Sequence, residues 1–187
     1  MPVTTLDPRT ALVVIDLQKG LAAYPTVHPF ADVVANAASL AAEFRRRGQP
    51  VVLVNASGSA PGRTEQSRRV AGAFGPDFIE LLPELDPQPD DVLVTKTTWG
   101  AFASTDLEAR LKALGVTQIV LAGVATSAGV ESTAREAHGL GLNVTLAVDA
   151  MTDMSAETHA NSVTRIFPRL GETGTTPEIV ALLGARG

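Results

Sequence analysis

Cysteine is missing from this chain of 187 residues, and aromatic side chains and long apolar runs are scarce. Without cysteine the chain has no disulfide bond, no thiolate metal site and no thiol nucleophile. No apolar run approaches the ~20 residues that a helix needs to span a bilayer. The first residues also lack the charged and then apolar pattern of a signal peptide. We therefore expect a soluble, cytoplasmic protein with no membrane partner.

Positive charge is sparse as well. The formal net charge is −5, and no run of Lys and Arg is longer than the three residues 45–47. A nucleic-acid-binding surface needs clustered positive charge, so we expect no nucleic-acid partner. Hydrophobic residues make up 45% of the chain and aromatic residues only 4%, which predicts a core of mostly Ala, Val and Leu. A small molecule remains as the expected ligand.

Short apolar runs rich in Val, Ile and Leu alternate with longer amphipathic runs along the chain. This alternation is typical of a parallel sheet with helices on both faces. We predict one domain over residues 1–187, with an α/β doubly wound (Rossmann-like) fold and about six mainly parallel strands. Residues 57–75, rich in Gly, Ser, Pro and Arg, predict a long surface connection. The predicted strands cover 11–15, 51–54, 91–95, 118–121, 143–148 and 169–172, and the predicted helices 30–47, 105–114, 129–140, 155–167 and 177–183.

Two charged residues stand at the ends of predicted buried strands. Asp16 follows the apolar run 12–15, and Lys96 follows 92–95. Ligands of doubly wound sheets bind beyond the carboxyl ends of the strands, so both side chains are candidates for a site. Taken singly, each has a plainer interpretation, Asp16 as a turn residue and Lys96 as a surface residue. Opposite charges at the same end of neighbouring buried strands indicate either a structural ion pair or a site with shifted pKa values.

A turn of small residues follows the fourth predicted strand. It runs from Gly123 to Gly129 and opens directly onto a helix. Helix N-termini carry unpaired N–H groups and a partial positive charge, which suit a developing anion. The turn is therefore a third candidate element at the same edge of the sheet.

These segments together resemble the isochorismatase-like hydrolases, also called cysteine hydrolases. Asp16-Leu17-Gln18 resembles the opening Asp-x-Gln of that family, and the block 96–102 resembles its Lys-x-x-x-x-x-Phe motif. The segment 123–135 resembles the nucleophile turn, and 148–150 together with His159 matches later positions. The resemblance runs from about residue 11 to residue 183 in order and spacing. Most of the family has its catalytic cysteine where this chain has Gly129.

The resemblance implies a mechanism and shows what is missing from it. In the common chemistry of the family, an Asp takes the thiol proton, a Lys stabilises the thiolate, and turn N–H groups hold the oxyanion. By position these donors would be Ala125 and Gly129, and a cis peptide would fall at Val124–Ala125. Isochorismatases proper also lack the cysteine, and there the Asp protonates a vinyl ether carbon. Asp16 would do the same here, although a neighbouring Lys96 lowers the pKa that a general acid needs raised.

We predict the site residues on this basis. Ser127 and Ser132 lie two and three positions away from the nucleophile position, so neither is assigned as a nucleophile. The predicted catalytic residues are Asp16, Lys96 and Gly129, and the predicted substrate-binding residues are Gln18, Trp99, Phe102, Ala125, Thr126 and Ser127.

No cofactor and no metal are expected. The loop 55–61, where the nicotinamidase branch of the family has metal ligands, contains neither His nor an acidic residue. No glycine-rich nucleotide-binding pattern is present either. Of the three histidines, we expect His28 in a surface loop, His138 at a helix end and His159 in a structural role.

We also expect the protein to self-associate. The helix after Gly129 is small and apolar on one face (Val130, Ala134 and Ala137), which favours a homodimer or homotetramer.

The leading hypothesis is a cofactor-independent hydrolase that uses Asp16 as a general acid or base to cleave a vinyl ether or another C–O or C–N bond. A catalytically silent binding protein and an amide hydrolase with water activated by Asp16 are the alternatives.

Overall fold

Six parallel strands form one sheet in the computed structural model, which describes residues 2–65 and 73–185. The strand order is β3-β2-β1-β4-β5-β6, which is the order of a doubly wound fold and confirms the predicted fold class. The strands are β1 Thr10–Ile15, β2 Val51–Ala56, β3 Val92–Lys96, β4 Gln118–Val124, β5 Asn143–Thr152 and β6 Glu172–Gly174.

Helices cover both faces of the sheet. The helices are α1 Phe30–Arg46, α2 Pro76–Ile79, α3 Leu107–Ala113, α4 Glu131–Gly139, α5 Ala156–Asn161 and α6 Thr176–Gly184. Helices α1 and α6 pack on one face, and α3 and α4 pack on the other. None of the helices in the described ranges is long and apolar enough to cross a membrane.

Strand β1 shows why the core has two halves. All six of its residues are buried, because the strand lies in the middle of the sheet with helices above and below. Leu12 and Val14 point into the cluster under α1 and α6, whereas Val13 and Ile15 point into the cluster under α3 and α4. This alternation follows from the two-residue period of a strand. Strand β1 is therefore packed on both faces, and Asp16 follows directly from this fixed strand.

An ion pair connects the end of α1 to the start of β3. The guanidinium of Arg45 donates to both carboxylate oxygens of Asp91, at 3.0 and 2.7 Å. The backbone N–H of Gln88 donates to the same carboxylate, and Arg45 also donates to the carbonyl of Leu85. Every oxygen of this carboxylate therefore has a donor.

The structure differs from the sequence-based prediction in the later part of the chain. Strand β5 was expected to end at Val148 but continues to Thr152, with a register shift against β4. Strand β6 lies about three residues later than predicted, and the last turns before it are π- and 3₁₀-helical instead of continuing α5. In the predicted connection 57–75, residues 66–72 lie outside the described residues.

The sheet also indicates where a site would lie. Strands β1 and β4 are neighbours, and the chain leaves them toward opposite edges of the sheet. Such a topological switch point opens a crevice at the carboxyl ends of the two strands. Gly123, near the end of β4, has φ +116°, and a Cβ at this position would overlap the backbone of Ile15. The close approach that this glycine permits brings β1 and β4 together immediately below the crevice.

Candidate active site

Asp16 is the first residue beyond β1. Its φ of 53° lies in the left-handed region, which Asp tolerates better than most residues. Its backbone N–H still donates to the carbonyl of Val54 on β2, at 2.9 Å. The residue is 6% exposed, so its carboxyl group is held at the edge of the sheet and out of bulk water.

Lys96 is the last residue of β3, and its ammonium group reaches the same point. Its Nζ donates to Oδ2 of Asp16 at 2.7 Å and to the carbonyl of Thr98 at 3.1 Å. The expectation that these charges stand on neighbouring strands is wrong, because β2 lies between β1 and β3. Strand β2 ends at Ala56, the partner of Lys96 in the sheet register. A long lysine side chain beside this small residue can cover the extra strand spacing of about 4.8 Å.

Burial decides the electrostatics of Asp16. Desolvation raises the pKa of its carboxyl group to about 6, against the opposing charge and hydrogen bond of Lys96. The oxygen Oδ1 of this carboxyl is buried and has no hydrogen-bond donor among the described residues. The group therefore has the raised pKa that a proton donor needs near neutral pH, and one of its oxygens is unsatisfied.

The turn after β4 brings Gly129 to the same carboxyl group. The peptide bond Val124–Ala125 is cis, as the resemblance implied. A single π-helical turn, Thr126–Val130, precedes α4, so the regular helix begins two residues later than predicted. A Cβ placed on Gly129 would lie 3.4 Å from Oδ2 of Asp16 and 2.9 Å from Cγ2 of Ile15. The position that holds a thiol in most of the resembling family thus adjoins the buried acid.

Thr133 connects this turn to the loop after Lys96. Its hydroxyl donates to the carbonyl of Gly129 at 2.7 Å and accepts from the N–H of Ala101 at 3.2 Å. On the same helix, Glu136 accepts from the N–H of Phe102 at 2.9 Å. Phe102 itself packs in the core under α3 and α4. Its side chain therefore supports the loop from inside.

A cavity of about 590 Å³ opens at these residues. Asp16, Lys96 and Gly129 line it together, which is the convergence that their strand-end positions predict. Of the predicted substrate-binding residues, Gln18, Trp99 and Ala125 also line the cavity, whereas Phe102, Thr126 and Ser127 are not among the described lining residues.

Gln18 lies beneath the cavity with its amide fully engaged. Its Oε1 accepts from the N–H of Ala56 at 2.8 Å, and its Nε2 donates to the carbonyls of Ala56 and Phe78. The side chain is completely buried. Gln18 therefore connects the end of β2 to the segment that carries Phe78.

Asp153 is a buried carboxylate that the sequence analysis missed. It follows β5, and its Oδ2 accepts from both the N–H and the hydroxyl of Ser127, at 2.7 and 2.8 Å. Its Oδ1 accepts from the N–H groups of Met154 and Ser155 at the start of α5. The strand-end rule that selected Asp16 also selects Asp153 once β5 is given its full length. Asp153 fixes Ser127, which explains why this serine does not line the cavity.

His159 and His28 lie behind the same turn. The hydroxyl of Thr126 donates to the carbonyl of Thr152, so Nδ1 of His159, 2.9 Å away, must donate to that hydroxyl. The ring of His28 contacts the ring of His159 edge to face, with centroids 4.7 Å apart. Burial is the main cause that lowers the pKa of His159, and the nearby His28 lowers it further. His159 therefore supports the turn, in line with the structural role expected of it.

Within residues 2–65 and 73–185, no group of three His, Asp or Glu side chains could hold a metal ion. The donors that meet in the cavity are one carboxyl, one ammonium and backbone groups, which suit proton transfer and anion binding better than metal coordination.

Comparison with known proteins gives one consistent result. The family model "Isochorismatase domain" matches residues 10–178. The isochorismatase family protein YecD of Escherichia coli O157:H7 is 43% identical over 183 residues, covering 93% of this chain and 96% of the relative. A Pseudomonas chlororaphis protein named "Probable isochorismatase" is 31% identical over 188 residues, covering 94% and 87%.

A solved structure shows the same fold. An isochorismatase family protein from Burkholderia thailandensis superposes with a TM-score of 0.92 at 41% identity. The match covers 96% of this chain and 98% of that protein. The fold is therefore shared with a protein of that type over nearly the whole chain.

Proposed function

Since this chain belongs to the isochorismatase family, whose members are hydrolases, we propose that it hydrolyses a vinyl ether bond in a small molecule with Asp16 as the general acid. One observation carries the proposal. Asp16 is a buried carboxyl with a pKa of about 6 and an unsatisfied oxygen, at the wall of a cavity. A carboxylic acid of this pKa is a competent proton donor in near-neutral water.

The proposed reaction begins with proton transfer to carbon. The carboxyl proton of Asp16 goes to the terminal carbon of the vinyl ether, and the C=C electron pair forms the new C–H bond. The adjacent carbon becomes an oxocarbenium ion, to which water adds. The added water returns a proton to Asp16, and the resulting hemiketal breaks its C–O bond to give an alcohol and a carbonyl compound. One water molecule is consumed and the acid is regenerated.

Lys96 and the turn have separate parts in this scheme. The ammonium group of Lys96, held by Asp16 and the carbonyl of Thr98, stabilises the carboxylate that exists after proton transfer. The N–H groups of Ala125 and Gly129 would orient an electron-rich substrate atom beside the acid. No step needs a side chain on Gly129, which fits the absence of cysteine from the chain.

Relatives are named both "Probable isochorismatase" and "Ureidoacrylate amidohydrolase RutB". The absence of cysteine favours the vinyl ether over the amide for this chain. An amide hydrolase in which Asp16 activates water would use the carboxylate form. That alternative predicts the opposite dependence on pH, because its rate would rise as Asp16 ionises. A silent binding protein would show no turnover at any pH.

Isotope incorporation tests the proposal. Purified protein is incubated with a panel of vinyl ethers and amides, and the products are identified by mass spectrometry. In D₂O the carbonyl product must carry one deuterium on the former vinyl carbon, and in H₂¹⁸O it must carry ¹⁸O in its carbonyl group. Product incubated alone controls for later exchange. Cleavage of amides only, or of nothing in the panel, contradicts the proposal.

We also propose self-association as a homodimer or homotetramer, on different grounds from those of the sequence. Val130, Ala134 and Ala137, the face expected to bind a partner, are fully buried within this chain. Exposed large side chains such as Leu93 and Trp99 are the better candidates for a contact. Light scattering that shows a monomer of about the chain mass, 19.4 kDa, would contradict this. The cytoplasmic location stays a prediction that cell fractionation can test.

A further inference from the structure

Two neighbouring backbone N–H groups of the loop after β3 are held by one helix. The N–H of Ala101 donates to the hydroxyl of Thr133 at 3.2 Å, and the N–H of Phe102 donates to the carboxylate of Glu136 at 2.9 Å. Thr133 and Glu136 are three residues apart on α4, so they lie on the same face of that helix. We refer to these two side chains as the α4 clamp.

The loop lies close against the α4 clamp at Gly100. This residue is buried, and a Cβ at its position would overlap the carboxyl group of Glu136. The side chain of Thr133 is also buried, and its hydroxyl donates to the carbonyl of Gly129 at 2.7 Å. The α4 clamp therefore joins the loop after β3 to the turn after β4, and both of these segments line the cavity.

The loop reaches the acid through the carbonyl of Thr98. This oxygen accepts from Nζ of Lys96 at 3.1 Å, and the same Nζ donates to Oδ2 of Asp16 at 2.7 Å. The hydroxyl of Thr98 donates to the carbonyl of Gly100 at 2.8 Å, which links Thr98 to the part of the loop that the α4 clamp holds. A lysine side chain is flexible, so fixed acceptors decide where its ammonium group rests.

We propose that Thr133 and Glu136 are positioning residues for the acid of the site. They fix residues 100–102, and the loop in turn keeps the carbonyl of Thr98 where it holds the ammonium group of Lys96 against Asp16. Neither Thr133 nor Glu136 is among the described residues that line the cavity, so both act through Lys96. The proposal rests on the proposed function only for the role of Asp16 as an acid.

The α4 clamp has a measurable consequence for Asp16. Burial raises the pKa of this carboxyl, and the charge of Lys96, which contacts it, lowers the pKa. An ammonium group that moves away should therefore raise the pKa of Asp16 further. Loss of the negative charge of Glu136 by itself would lower that pKa, so the direction of the shift separates a lost clamp from a lost charge.

The pKa of Asp16 can be measured without a substrate, from the ¹³C NMR titration of its carboxyl carbon. Asp16→Asn identifies the resonance. Thr133→Val keeps the shape of the side chain and removes the hydroxyl, and we expect it to raise the pKa of Asp16 by about 0.5–1 pH unit. Thr133→Ser keeps the hydroxyl and should restore the pKa of the parent protein. An unchanged pKa in Thr133→Val would overturn the proposal.

Glu136 supplies a second test at a less buried position. Glu136→Ala removes the acceptor and should raise the pKa of Asp16. Glu136→Gln keeps an acceptor oxygen for the N–H of Phe102 and should not raise that pKa. A lowered pKa in both variants would show that only the charge of Glu136 acts on the site, and would contradict its place in the α4 clamp.

Thr10→Val is the matched control for a loss of stability. Thr10 is a buried threonine at the start of β1, and its hydroxyl contacts the carbonyl of Asp7 at 2.7 Å and the side-chain oxygen of Gln118 at 3.1 Å. Its substitution removes a similar set of hydrogen bonds at the opposite end of the strand and should leave the pKa of Asp16 unchanged. An equal shift in Thr10→Val and Thr133→Val would indicate general loosening and contradict the proposal.

A double variant tests whether the α4 clamp acts through Lys96. Lys96→Met removes the ammonium group and should itself raise the pKa of Asp16. In that background Thr133→Val should cause no further rise, because no ammonium group remains to be displaced. A rise of the same size with and without Lys96 would overturn the proposed route.

The α4 clamp and the proposed reaction can fail separately. If a vinyl ether is cleaved, the pH at which kcat/KM falls to half should move up together with the pKa of Asp16 in Thr133→Val. Cleavage with both values unmoved would overturn the α4 clamp alone. A pKa that shifts as expected in a protein that cleaves no vinyl ether would overturn the reaction and leave the α4 clamp in place.

Discussion

Strand β3 has an ion pair at each end in which the carboxylate is buried, and the two pairs differ in how fully these carboxylates are satisfied. At the start of the strand, Asp91 accepts two hydrogen bonds from Arg45 and one from a backbone N–H. At the end of the strand, Asp16 accepts one hydrogen bond, from Lys96, and has a second buried oxygen without a donor in the described part of the chain. The pairs are similar in charge and distance but not in completeness.

This difference separates a structural pair from a reactive one. Burial of a carboxylate is costly unless hydrogen bonds replace the lost water. The pair of Asp91 has those bonds and connects α1 to β3. Asp16 lacks them, and desolvation raises the pKa of its carboxyl to about 6 despite the neighbouring ammonium. Burial therefore makes the ionised form of Asp16 unfavourable in the folded protein, and the raised pKa lets its protonated form act as an acid near neutral pH.

Replacing each carboxylate with an amide should give the largest difference in turnover between the two ion pairs. We expect Asp16→Asn to lower kcat about 10²- to 10⁴-fold, because an amide cannot transfer the proton. Asp91→Asn, the matched control at the other end of the strand, should leave kcat within about twofold of the parent protein. Steady-state kinetics on a cleaved vinyl ether measures both. Near-normal turnover by Asp16→Asn would rule out proton transfer by this residue.

The pH dependence of turnover should reflect the raised pKa of Asp16 in the incomplete pair. A general acid acts in its protonated form, so kcat/KM should be constant well below pH 6 and fall as pH rises through the pKa of about 6. Two pH units above it the loss should approach 100-fold. The midpoint of this fall in kcat/KM should lie at a pH well above the pKa of an ordinary carboxyl group. A rate that rises through pH 6 would instead favour water activation by the carboxylate.

A thiol introduced beside Asp16 by Gly129→Cys should report on the charges of the incomplete pair, since this substitution restores the thiol that most of the family has. The substitution needs a small shift of Ile15 Cγ2. Lys96 should depress the pKa of the thiol below the usual ~8.5 and speed its reaction with iodoacetamide at pH 7 by about tenfold. Gly139→Cys, in open space at the end of α4, is the control. Because the chain has no other cysteine, equal rates would show that the ion pair does not act on this position.

The two carboxylates should contribute to stability in different ways. Asp91→Asn should lower the free energy of unfolding by roughly 2–3 kcal/mol, because it breaks a fully bonded pair whose carboxylate is buried. For Asp16 the folded-state pKa is raised, so its contribution to stability is full below about pH 4 and is lost as pH rises to about 6. The loss should be about 3 kcal/mol. Urea unfolding at several pH values should show this slope in the parent protein and not in Asp16→Asn.

Part of the site around Asp16 could be predicted from the sequence, and part could not. Asp16 and Lys96 were predicted because a charged residue after a continuous apolar strand is conspicuous, and the parallel sheet brings such residues to one edge. Their contact was expected between neighbouring strands. That β2 lies between those strands was not predictable, because strand order is not visible in the local pattern. Asp153 was missed because Asp149 interrupts the apolar run of β5, so the strand was ended four residues early.

Phe74 and Phe78, which also line the cavity, were missed for a different reason. Phe74 lies in a segment rich in Gly, Ser, Pro and Arg, and Phe78 lies in a helix of only four residues. Neither residue belongs to a periodic pattern, and their placement depends on contacts such as that between Phe78 and Gly20. Residues placed by tertiary contacts alone leave little trace in local composition.

The 80 positions that separate Asp16 from Lys96 along the chain have a consequence for folding. Because β2 lies between the strands that carry them, the two side chains can meet only after β1, β2 and β3 have paired. Closing so long a loop costs conformational entropy that the pair alone cannot offset, so the contact belongs to a late stage of folding. A nascent or partly unfolded chain therefore presents an ordinary aspartate at this position, and its acid chemistry begins only when the sheet is complete.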